Sequence, residues 1–444
     1  MPYRWLIFIM YFLISNTVYG SSDEVVIIFT GEELGSVEPC GCFDEQIGGI
    51  SRRGTFIDYF RKQNNIVLPV SLGDLPKSSE RQEEIKVDIL CRAMGDMGYV
   101  VHNLGEKDLE INPQLICYIS HTNNIVFLSS NVQIIGSFPI KINQYFIKEW
   151  GNSSASFRIA FLGVLSKSLL NTNIQSYVNI YDPVKTLKPL VRQLKDKVNL
   201  IVLLSHSPLE ESVNIAKQFP EIGLIITGHD IMEPKDSITY VDNTPVVSSG
   251  IGGKYIGVVK YAINHKDTER KSVEVIPLDK KYQNSQTMGL LLKEYQQMLI
   301  DENLLSKTPQ APLPNGLSYV GSSTCGMCHK IVYDHWYKTK HGTSYNTLVH
   351  AGHQYDPECI KCHTTGFGDV SGFINYEGSQ NLIDVGCESC HGAGSEHTKN
   401  INNVYGLVGE SNCVTCHDSE HSPKFRFEEY WAGIKHPKEI LKRY

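Results

Sequence analysis

Four short strings of cysteine and histidine constrain this chain more than any other feature of its sequence. Each has the form Cys-x-x-Cys-His, and all four lie in the last third of the chain. Two thiols at this spacing can each add to one vinyl group of a porphyrin, and the adjacent imidazole then becomes an axial ligand of its iron. The strings predict four covalently bound haem c groups, attached at Cys325, Cys328 and His329; Cys359, Cys362 and His363; Cys387, Cys390 and His391; and Cys413, Cys416 and His417.

Zinc is the alternative ligand for paired cysteines, because two Cys-x-x-Cys pairs form a normal structural zinc site. Zinc, however, gives no reason for a histidine directly after every second cysteine, and all four strings have one. Haem attachment is therefore the interpretation that the spacing favours.

A second axial ligand is needed wherever the iron is six-coordinate. Within residues 317–444, seven histidines lie outside the motifs, which is enough for bis-histidine ligation of most haems, although the count alone does not assign them. They are His335, His341, His350, His353, His397, His421 and His436. Residues 317–444 are too few to build a separate hydrophobic core around each of four porphyrins. We therefore expect short helices, long loops and a core made largely of haem.

The N-terminus has the pattern of a secretion signal. Arg4 precedes an apolar run at 5–14 that is too short to span a bilayer comfortably. Small side chains at Val18 and Gly20 predict cleavage before Ser21, with an uncleaved membrane anchor as the alternative. We expect a periplasmic or otherwise exported protein with no membrane span after cleavage, which agrees with haem attachment outside the cytoplasm.

The charge excludes some classes of partner. The formal net charge is −7, and residues 316–444 hold 11 Lys and Arg against 14 Asp and Glu. Nucleic acids and anionic membrane surfaces require basic patches, so neither is expected as a partner. An acidic surface instead suits docking to basic patches on periplasmic redox proteins, which would serve as electron donor and acceptor.

The first three hundred residues alternate apolar strands with helices and then continue with consecutive strands. This order predicts a layered α/β domain with a mixed sheet or two sheets. Strands are predicted at 25–29, 66–72, 158–164, 199–204, 223–226, 245–249, 255–263 and 272–278, and helices at 52–63, 81–97, 183–196, 209–218 and 286–304. With a Pro-rich linker at 308–316, the predicted organisation is a signal peptide (1–20), an α/β domain (21–280), a helix and linker (281–316) and a mainly α, loop-rich multihaem domain (317–444).

Polar residues follow apolar runs at Asp74, Glu106, His206 and His229. In order and spacing, the segments that contain them resemble the calcineurin-like metallophosphatases of the 5′-nucleotidase type over roughly 23–280. The closest matches are 201–206, 225–229 and 245–257. The resemblance implies a layered α/β/β/α fold and a site for two metal ions.

The departures from that family reduce what the resemblance implies. Where the family has D-x-H, this chain has Thr-Gly-Glu-Glu-Leu at 30–34; Lys107 replaces the histidine of G-N-H-E, and Ile231 the second histidine of G-H-x-H. The residues that remain correspond to the second metal position, with Glu in place of Asn. They imply one divalent metal, held by Asp74, Glu106, His206 and His229, although polar groups bonded at strand ends would explain the same residues.

Two further cysteines, Cys40 and Cys42, lie beside the altered first metal position. In an oxidising compartment they can form a redox-active or metal-binding thiol pair. A structural disulfide or buried thiols are the alternative. Cys91 and Cys117 lie in apolar helical segments and are expected in the core.

The C-terminal strings at 336–341, 363–368, 387–397 and 435–437 resemble the tetrahaem cytochrome family typified by the electron acceptor of hydroxylamine oxidoreductase. In that family three haems are bis-histidine and one is five-coordinate. The resemblance implies His341, His397 and His436 as the distal ligands here.

Electron transfer by a periplasmic multihaem cytochrome is the leading functional hypothesis. The alternatives are a redox enzyme acting on a small nitrogen or sulfur compound at an open haem iron, and a metal-dependent phosphoesterase or 5′-nucleotidase. The α/β domain would either serve docking or keep a residual metal site.

Overall fold

The computed structural model describes residues 23–39, 45–64, 66–136, 139–152, 155–229, 231–234, 237–264, 267–402 and 405–436. The predicted signal segment and the Cys40–Cys42 pair lie outside the described residues. Within the described residues, no helix has both the length and the apolar character needed to cross a membrane.

The α/β part contains all the strands of the described chain. They are β1 (Asp23–Thr30), β2 (Ile66–Ser71), β3 (Val101–Asn103), β4 (Val126–Leu128), β5 (Val132–Ile134), β6 (Tyr145–Asn152), β7 (Ala155–Leu165), β8 (Val178–Ile180), β9 (Leu200–His206), β10 (Leu224–Gly228), β11 (Thr239–Val241), β12 (Thr244–Val247), β13 (Tyr255–Asn264) and β14 (Asp267–Pro277).

The helices are longest in the α/β part and become short after the linker. They are α1 (Ile50–Gln63), α2 (Arg81–Asp96), α3 (Glu106–Glu110), α4 (Pro113–Thr122), α5 (Pro183–Leu194), α6 (Leu209–Gln218), α7 (Gln286–Asp301), α8 (Leu304–Lys307), α9 (Ser322–Cys328), α10 (Lys330–Trp336), α11 (Ser344–Ala351), α12 (Pro357–His363), α13 (Cys387–His391), α14 (Ser395–Lys399), α15 (Glu410–Cys413) and α16 (Phe427–Ile434).

Two six-stranded sheets form the centre of the α/β part. Their strand orders are β14-β13-β1-β2-β3-β4 and β11-β12-β10-β9-β7-β6. In the first sheet β1, β2, β3 and β4 are parallel, and in the second β7, β9, β10 and β12 are parallel. Helices α1, α2, α4 and α7 cover the outer face of the first sheet, and α5 and α6 cover that of the second. The result is the predicted α/β/β/α layering.

The central position of strand β1 explains why its sequence is apolar throughout. Val25 and Ile27 pack between the two sheets, whereas Val26 and Ile28 pack under the outer helices. A strand buried on both faces needs apolar side chains at every position rather than at alternate ones. The continuous run therefore indicates a central strand.

The pairing of β1 with β13 leaves no room for a side chain at Gly257. Gly257 lies opposite Phe29, and a Cβ atom there would stand 1.9 Å from the Phe29 ring carbon Cζ. We expect Gly257→Ala to lower the free energy of unfolding by about 1–3 kcal/mol, because the buried ring has to move. Urea unfolding of the full chain measures the change.

Gly289→Ala is the matched control for that substitution. Gly289 lies inside α7, where an added Cβ meets no atom within 4 Å. Alanine in an open helical position is expected to be stabilising by about 0.5–1 kcal/mol. Equal effects at the two glycines would contradict the packing argument.

The region after the linker has little apolar core of its own. Among the described residues, one apolar cluster combines five buried side chains of this region with Leu305 of α8, which precedes the linker; the five are Tyr345, Leu348, Ile360, Phe373 and Leu382. None of the described helices beyond the linker exceeds eight residues. The structure therefore agrees with the expectation of short helices and long loops.

Candidate metal cluster and haem attachment sites

The four residues carried over from the resemblance meet at one edge of the α/β part. Asp74 follows β2, Glu106 follows β3, His206 ends β9 and His229 follows β10. The carboxyl ends of parallel strands converge on one edge of each sheet, so four separate chain segments supply side chains to one place. One ligand atom from each residue lies within 4.8 Å of the others. We call these four residues the metal cluster.

The contacts within the metal cluster are short and buried. His206 Nε2 lies 2.8 Å from Glu106 Oε2 and 3.4 Å from Asp74 Oδ2, and His229 Nδ1 lies 3.6 Å from Glu106 Oε1. The side chains of Asp74 and His206 have no exposed surface. Buried carboxylates and imidazoles that contact one another directly are characteristic of metal-binding and catalytic sites.

The backbone at the metal cluster is strained in two places. Asp74 has a φ of 55° and His229 a φ of 121°, a region that side chains other than glycine rarely adopt. The carboxylate of Asp108 holds the first of these turns, since it accepts hydrogen bonds from the backbone N–H groups of Asp74 (2.8 Å), Leu75 (2.8 Å) and Gly105 (2.9 Å). Asp108 was not among the sequence-predicted site residues.

Electrostatics favour a positive charge at the centre of the metal cluster. Burial raises the pKa of Asp74 to about 6. Burial would also raise the pKa of Glu106, but the hydrogen bond and charge of His206 lower that pKa to about 2. Burial lowers the pKa of His206, but Asp74 and Glu106 raise it well above its ordinary value. A metal ion would take the place of the His206 proton between the two carboxylates, because a ligating imidazole is neutral.

Glu32 is a further acid beside the metal cluster that the sequence prediction missed. It lies two residues past the end of β1 and is only 5% exposed. Burial raises the pKa of Glu32 to about 7, and all four members of the cluster act on its charge. Its position after the first strand, in the segment that replaces D-x-H, was the signal that could have found it.

The donor set fits one divalent transition metal. Imidazole nitrogen suits zinc and iron, and carboxylate oxygen suits manganese as well as zinc. Two positions where that family has a histidine carry Leu34 and Ile231, neither of which is a metal ligand, and Lys107 replaces the catalytic histidine. The residues present therefore fit one ion rather than two.

In the C-terminal region, each described attachment motif coils into about one helical turn. The His329 N–H donates to the carbonyl of Cys325 at 2.9 Å, and the His417 N–H donates to that of Cys413 at 2.9 Å. Residues three and four apart on such a turn share one face, so both thiols and the imidazole can meet the same ring. The Cys325 thiol lies close to the Cys387 thiol of another motif, and the Cys362 thiol lies close to that of Cys416.

Three motif histidines each face one of the three expected distal histidines. The ring centroids of His329 and His397 are 6.3 Å apart, those of His391 and His436 are 6.2 Å apart, and those of His341 and His417 are 6.1 Å apart. Two imidazoles that bind one iron from opposite sides stand with their centres about 6 Å apart, because each metal–nitrogen bond is about 2 Å long. The pairs therefore fit bis-histidine haem ligation.

Hydrogen bonds orient the motif imidazoles for ligation. The Nδ1 atom of His363 lies 2.8 Å from the Ser344 carbonyl oxygen, and that of His391 lies 2.7 Å from the Gly406 carbonyl oxygen. A carbonyl accepts the Nδ1–H hydrogen and so leaves Nε2 as the lone-pair nitrogen that an iron requires. The buried Nδ1 atoms of His397 and His436 have no hydrogen-bond partner in the described part of the chain, which also fits a ligand role.

The second motif differs from the other three in the surroundings of its histidine. Among the described residues, no second imidazole faces His363 at the spacing of the three pairs. His353 instead lies 3.0 Å from Gln296 and 3.3 Å from Glu38, at the boundary with the α/β part. His421 bonds to Asp418 at 2.9 Å.

The two remaining histidines of the C-terminal region, and the two cysteines that were expected in the core, lie outside the three imidazole pairs. The ring of His335 lies 6.4 Å from that of His436 at 78°, and His350 Nδ1 bonds to the Asn346 carbonyl at 2.6 Å. Cys91 is buried as expected, whereas Cys117 is half-buried with its thiol 3.6 Å from the Pro139 carbonyl.

Comparison with known proteins supports the division into two parts. The family profile described as cytochrome c554 and c-prime matches residues 324–392, which hold the first three motifs. Cytochrome c-554 of Nitrosomonas europaea is 29% identical over 111 residues, covering 22% of this chain and 47% of the relative. The chain thus spans about half the length of this curated relative.

Solved structures resemble the α/β part. The 5′-nucleotidase precursor from Thermus thermophilus has a TM-score of 0.56 and 16% identity, over 74% of this chain and 68% of that one. The calcineurin-like phosphoesterase YfkN from Bacillus subtilis has a TM-score of 0.54 and 16% identity, over 63% of this chain and 98% of that one. At these identities the similarity shows the fold, and the predicted metallophosphatase-like fold is confirmed.

Proposed function

We propose that this chain, in which a metallophosphatase-like domain precedes a cytochrome c554 region, is an exported four-haem electron-transfer protein. Haem iron supplies one-electron chemistry, and the protein sets its potential through axial ligands and burial. Periplasmic redox proteins are the proposed donor and acceptor. The α/β domain keeps one metal site or serves to dock a partner.

The three imidazole pairs carry this proposal. Each joins residues far apart in the sequence, such as His341 and His417, and brings their ring centroids to the spacing that one iron requires. Paired histidines of this kind hold a haem in a form suited to electron transfer, because no position on the iron is left for substrate. The fourth motif lies beyond the profile match, so the number of haems is the quantity to test.

A pyridine haemochrome assay on chain purified from a host competent in cytochrome maturation gives that number. We expect four covalent haems per chain. Fewer than three, or zinc in place of iron, would contradict the proposal.

A redox enzyme acting on a small nitrogen or sulfur compound is the second candidate function. It is favoured by His363, which no imidazole of the described residues faces at the spacing of the three pairs, so that one iron would have an open position. Electron paramagnetic resonance should then show one high-spin haem, whose signal shifts on adding nitric oxide or cyanide. Four low-spin haems would exclude this candidate.

Metal binding by the α/β domain has its own test. We expect about one non-haem divalent metal per chain and its loss in His206→Ala, because Nε2 of His206 lies within 3.4 Å of both cluster carboxylates. Elemental analysis corrected for haem iron measures the content. His121→Ala, on the exposed side of α4, is the control and should keep the metal.

Phosphoester hydrolysis is the function that the metal cluster supports least. A two-metal mechanism needs ions that clamp both the attacking and the leaving oxygen, and Leu34 and Ile231 cannot bind the first of them. We expect little manganese-stimulated release of phosphate from AMP. Substantial release that is lost in His229→Ala would reverse this ranking.

A further inference from the structure

Helix α12, which carries the second attachment motif, is held by the α/β domain. The buried carboxylate of Asp356 accepts hydrogen bonds from Gln82 Nε2 of α2 at 2.8 Å and from the Tyr295 hydroxyl of α7 at 3.0 Å. The same carboxylate caps α12 by accepting from the Glu358 N–H at 3.0 Å. One acid therefore ties the start of this helix to two helices of the other domain.

Lys86 makes a second connection beside the first. Its Nζ atom lies 2.8 Å from Glu83 Oε1 and 2.7 Å from Glu358 Oε2, and its side chain is only 4% exposed. Burial would lower the pKa of Lys86, but the two carboxylates raise it, so the ammonium stays charged. Glu358 directly precedes Cys359, so this buried positive charge is paired with the residue next to an attachment cysteine.

The same network reaches the loop of the metal cluster. Glu83, which binds Lys86, also accepts a hydrogen bond from the Lys77 N–H at 2.6 Å. Lys77 lies three residues after Asp74 in the loop that follows β2. Buried and part-buried polar contacts thus run from the metal-cluster loop to the second attachment motif.

We propose that Lys86 is a positioning residue of the second haem site, through which the α/β domain sets the charge beside that haem and no other. The inference rests on the proposed four-haem function and on the open iron position of the second candidate function. Lys86 acts through its ion pair with Glu358, the residue that precedes Cys359 in the sequence. Among the described residues, no other attachment motif has a buried lysine of the α/β domain paired to the residue that precedes its first cysteine.

The test is a redox titration of the full haem-loaded chain, with the high-spin and low-spin signals followed separately. Lys86→Met removes a positive charge, which disfavours the electron on the nearby iron. We expect the reduced-to-oxidised ratio of the high-spin haem to fall about threefold or more at a fixed potential. The ratios of the low-spin haems should not change.

Two further variants make the result decisive. Glu358→Gln removes a negative charge at a half-exposed side chain, so the chain should fold and the same haem should shift in the opposite direction. Arg92→Met is the matched control on α2, because Arg92 pairs with Glu294 of α7 and stays within the α/β domain.

Opposite shifts in Lys86→Met and Glu358→Gln, confined to the high-spin haem, support the inference. If Lys86→Met does not fold, the shift in Glu358→Gln decides alone. No shift, or an equal shift in all haems, overturns the inference while leaving electron transfer intact. A wild-type chain without a high-spin signal overturns the inference and the open second haem together.

Discussion

Replacement of His341 by alanine is expected to convert one low-spin haem into a high-spin haem. The ring centroid of His341 lies 6.1 Å from that of His417, the spacing of two ligands on one iron. The substitution removes one ligand and leaves the covalent attachment untouched. Electron paramagnetic resonance should therefore show one more high-spin centre than wild type, with an unchanged haem content.

The same substitution should also change the binding of small ligands to the haem iron. An iron that loses its distal imidazole gains a position for nitric oxide or cyanide, so the number of ligand-binding haems should rise from one to two. His350→Ala is the matched control, because His350 lies on the same stretch of chain but bonds to the Asn346 carbonyl and faces no motif histidine among the described residues. Identical spectra for the two variants would contradict the assignment of His341.

Glu33→Gln is expected to be the most destabilising substitution considered for the α/β domain. Glu33 forms an ion pair with Arg53, and neither side chain has any exposed surface. Breaking a buried pair from one side leaves an uncompensated charge in the interior, which costs about 3–5 kcal/mol. Urea unfolding followed by far-ultraviolet circular dichroism measures the loss.

Two comparisons identify the cause of that loss. Glu269→Gln removes an exposed partner of Lys271, and should cost less than about 1 kcal/mol. The double variant Glu33→Leu with Arg53→Met removes both buried charges, and should recover part of the stability because no charge is left unpaired. A double variant less stable than Glu33→Gln would contradict the explanation.

The sequence predicted the central strands of the α/β domain well. Apolar runs at 25–29 and 66–72 correspond to β1 and β2 within two residues at each end. Such strands are buried on both faces, so their sequences are distinctive. The metal cluster was predictable for a related reason, since its members directly follow strands whose ends meet at one edge.

The shortest strands were not predictable. Strands β3, β4, β5, β8 and β11 have three residues each, too few to show a period. The predicted helix at 286–304 ends instead at Asp301, and a new helix begins at Leu304 because Asn303 adopts a left-handed φ of 49°. The position of this helix break depends on the tertiary structure and not on the local sequence pattern.

Contacts between residues far apart in the sequence also limited what could be predicted. Nothing in the sequence states that His417 faces His341, or that His391 faces His436, because these contacts depend on how loops between short helices close. Lys86 was missed for the same reason. Its role is set by side chains from distant segments that pack around it.

The small apolar cluster of the C-terminal region has a consequence for biogenesis. Before porphyrin is attached, five side chains of that region lie in its described apolar cluster, whereas the α/β domain has three extended apolar clusters. We therefore expect the α/β domain to fold without haem and the C-terminal region to require it. In a cell that lacks haem lyase activity, proteases should trim the chain back to a folded N-terminal remnant.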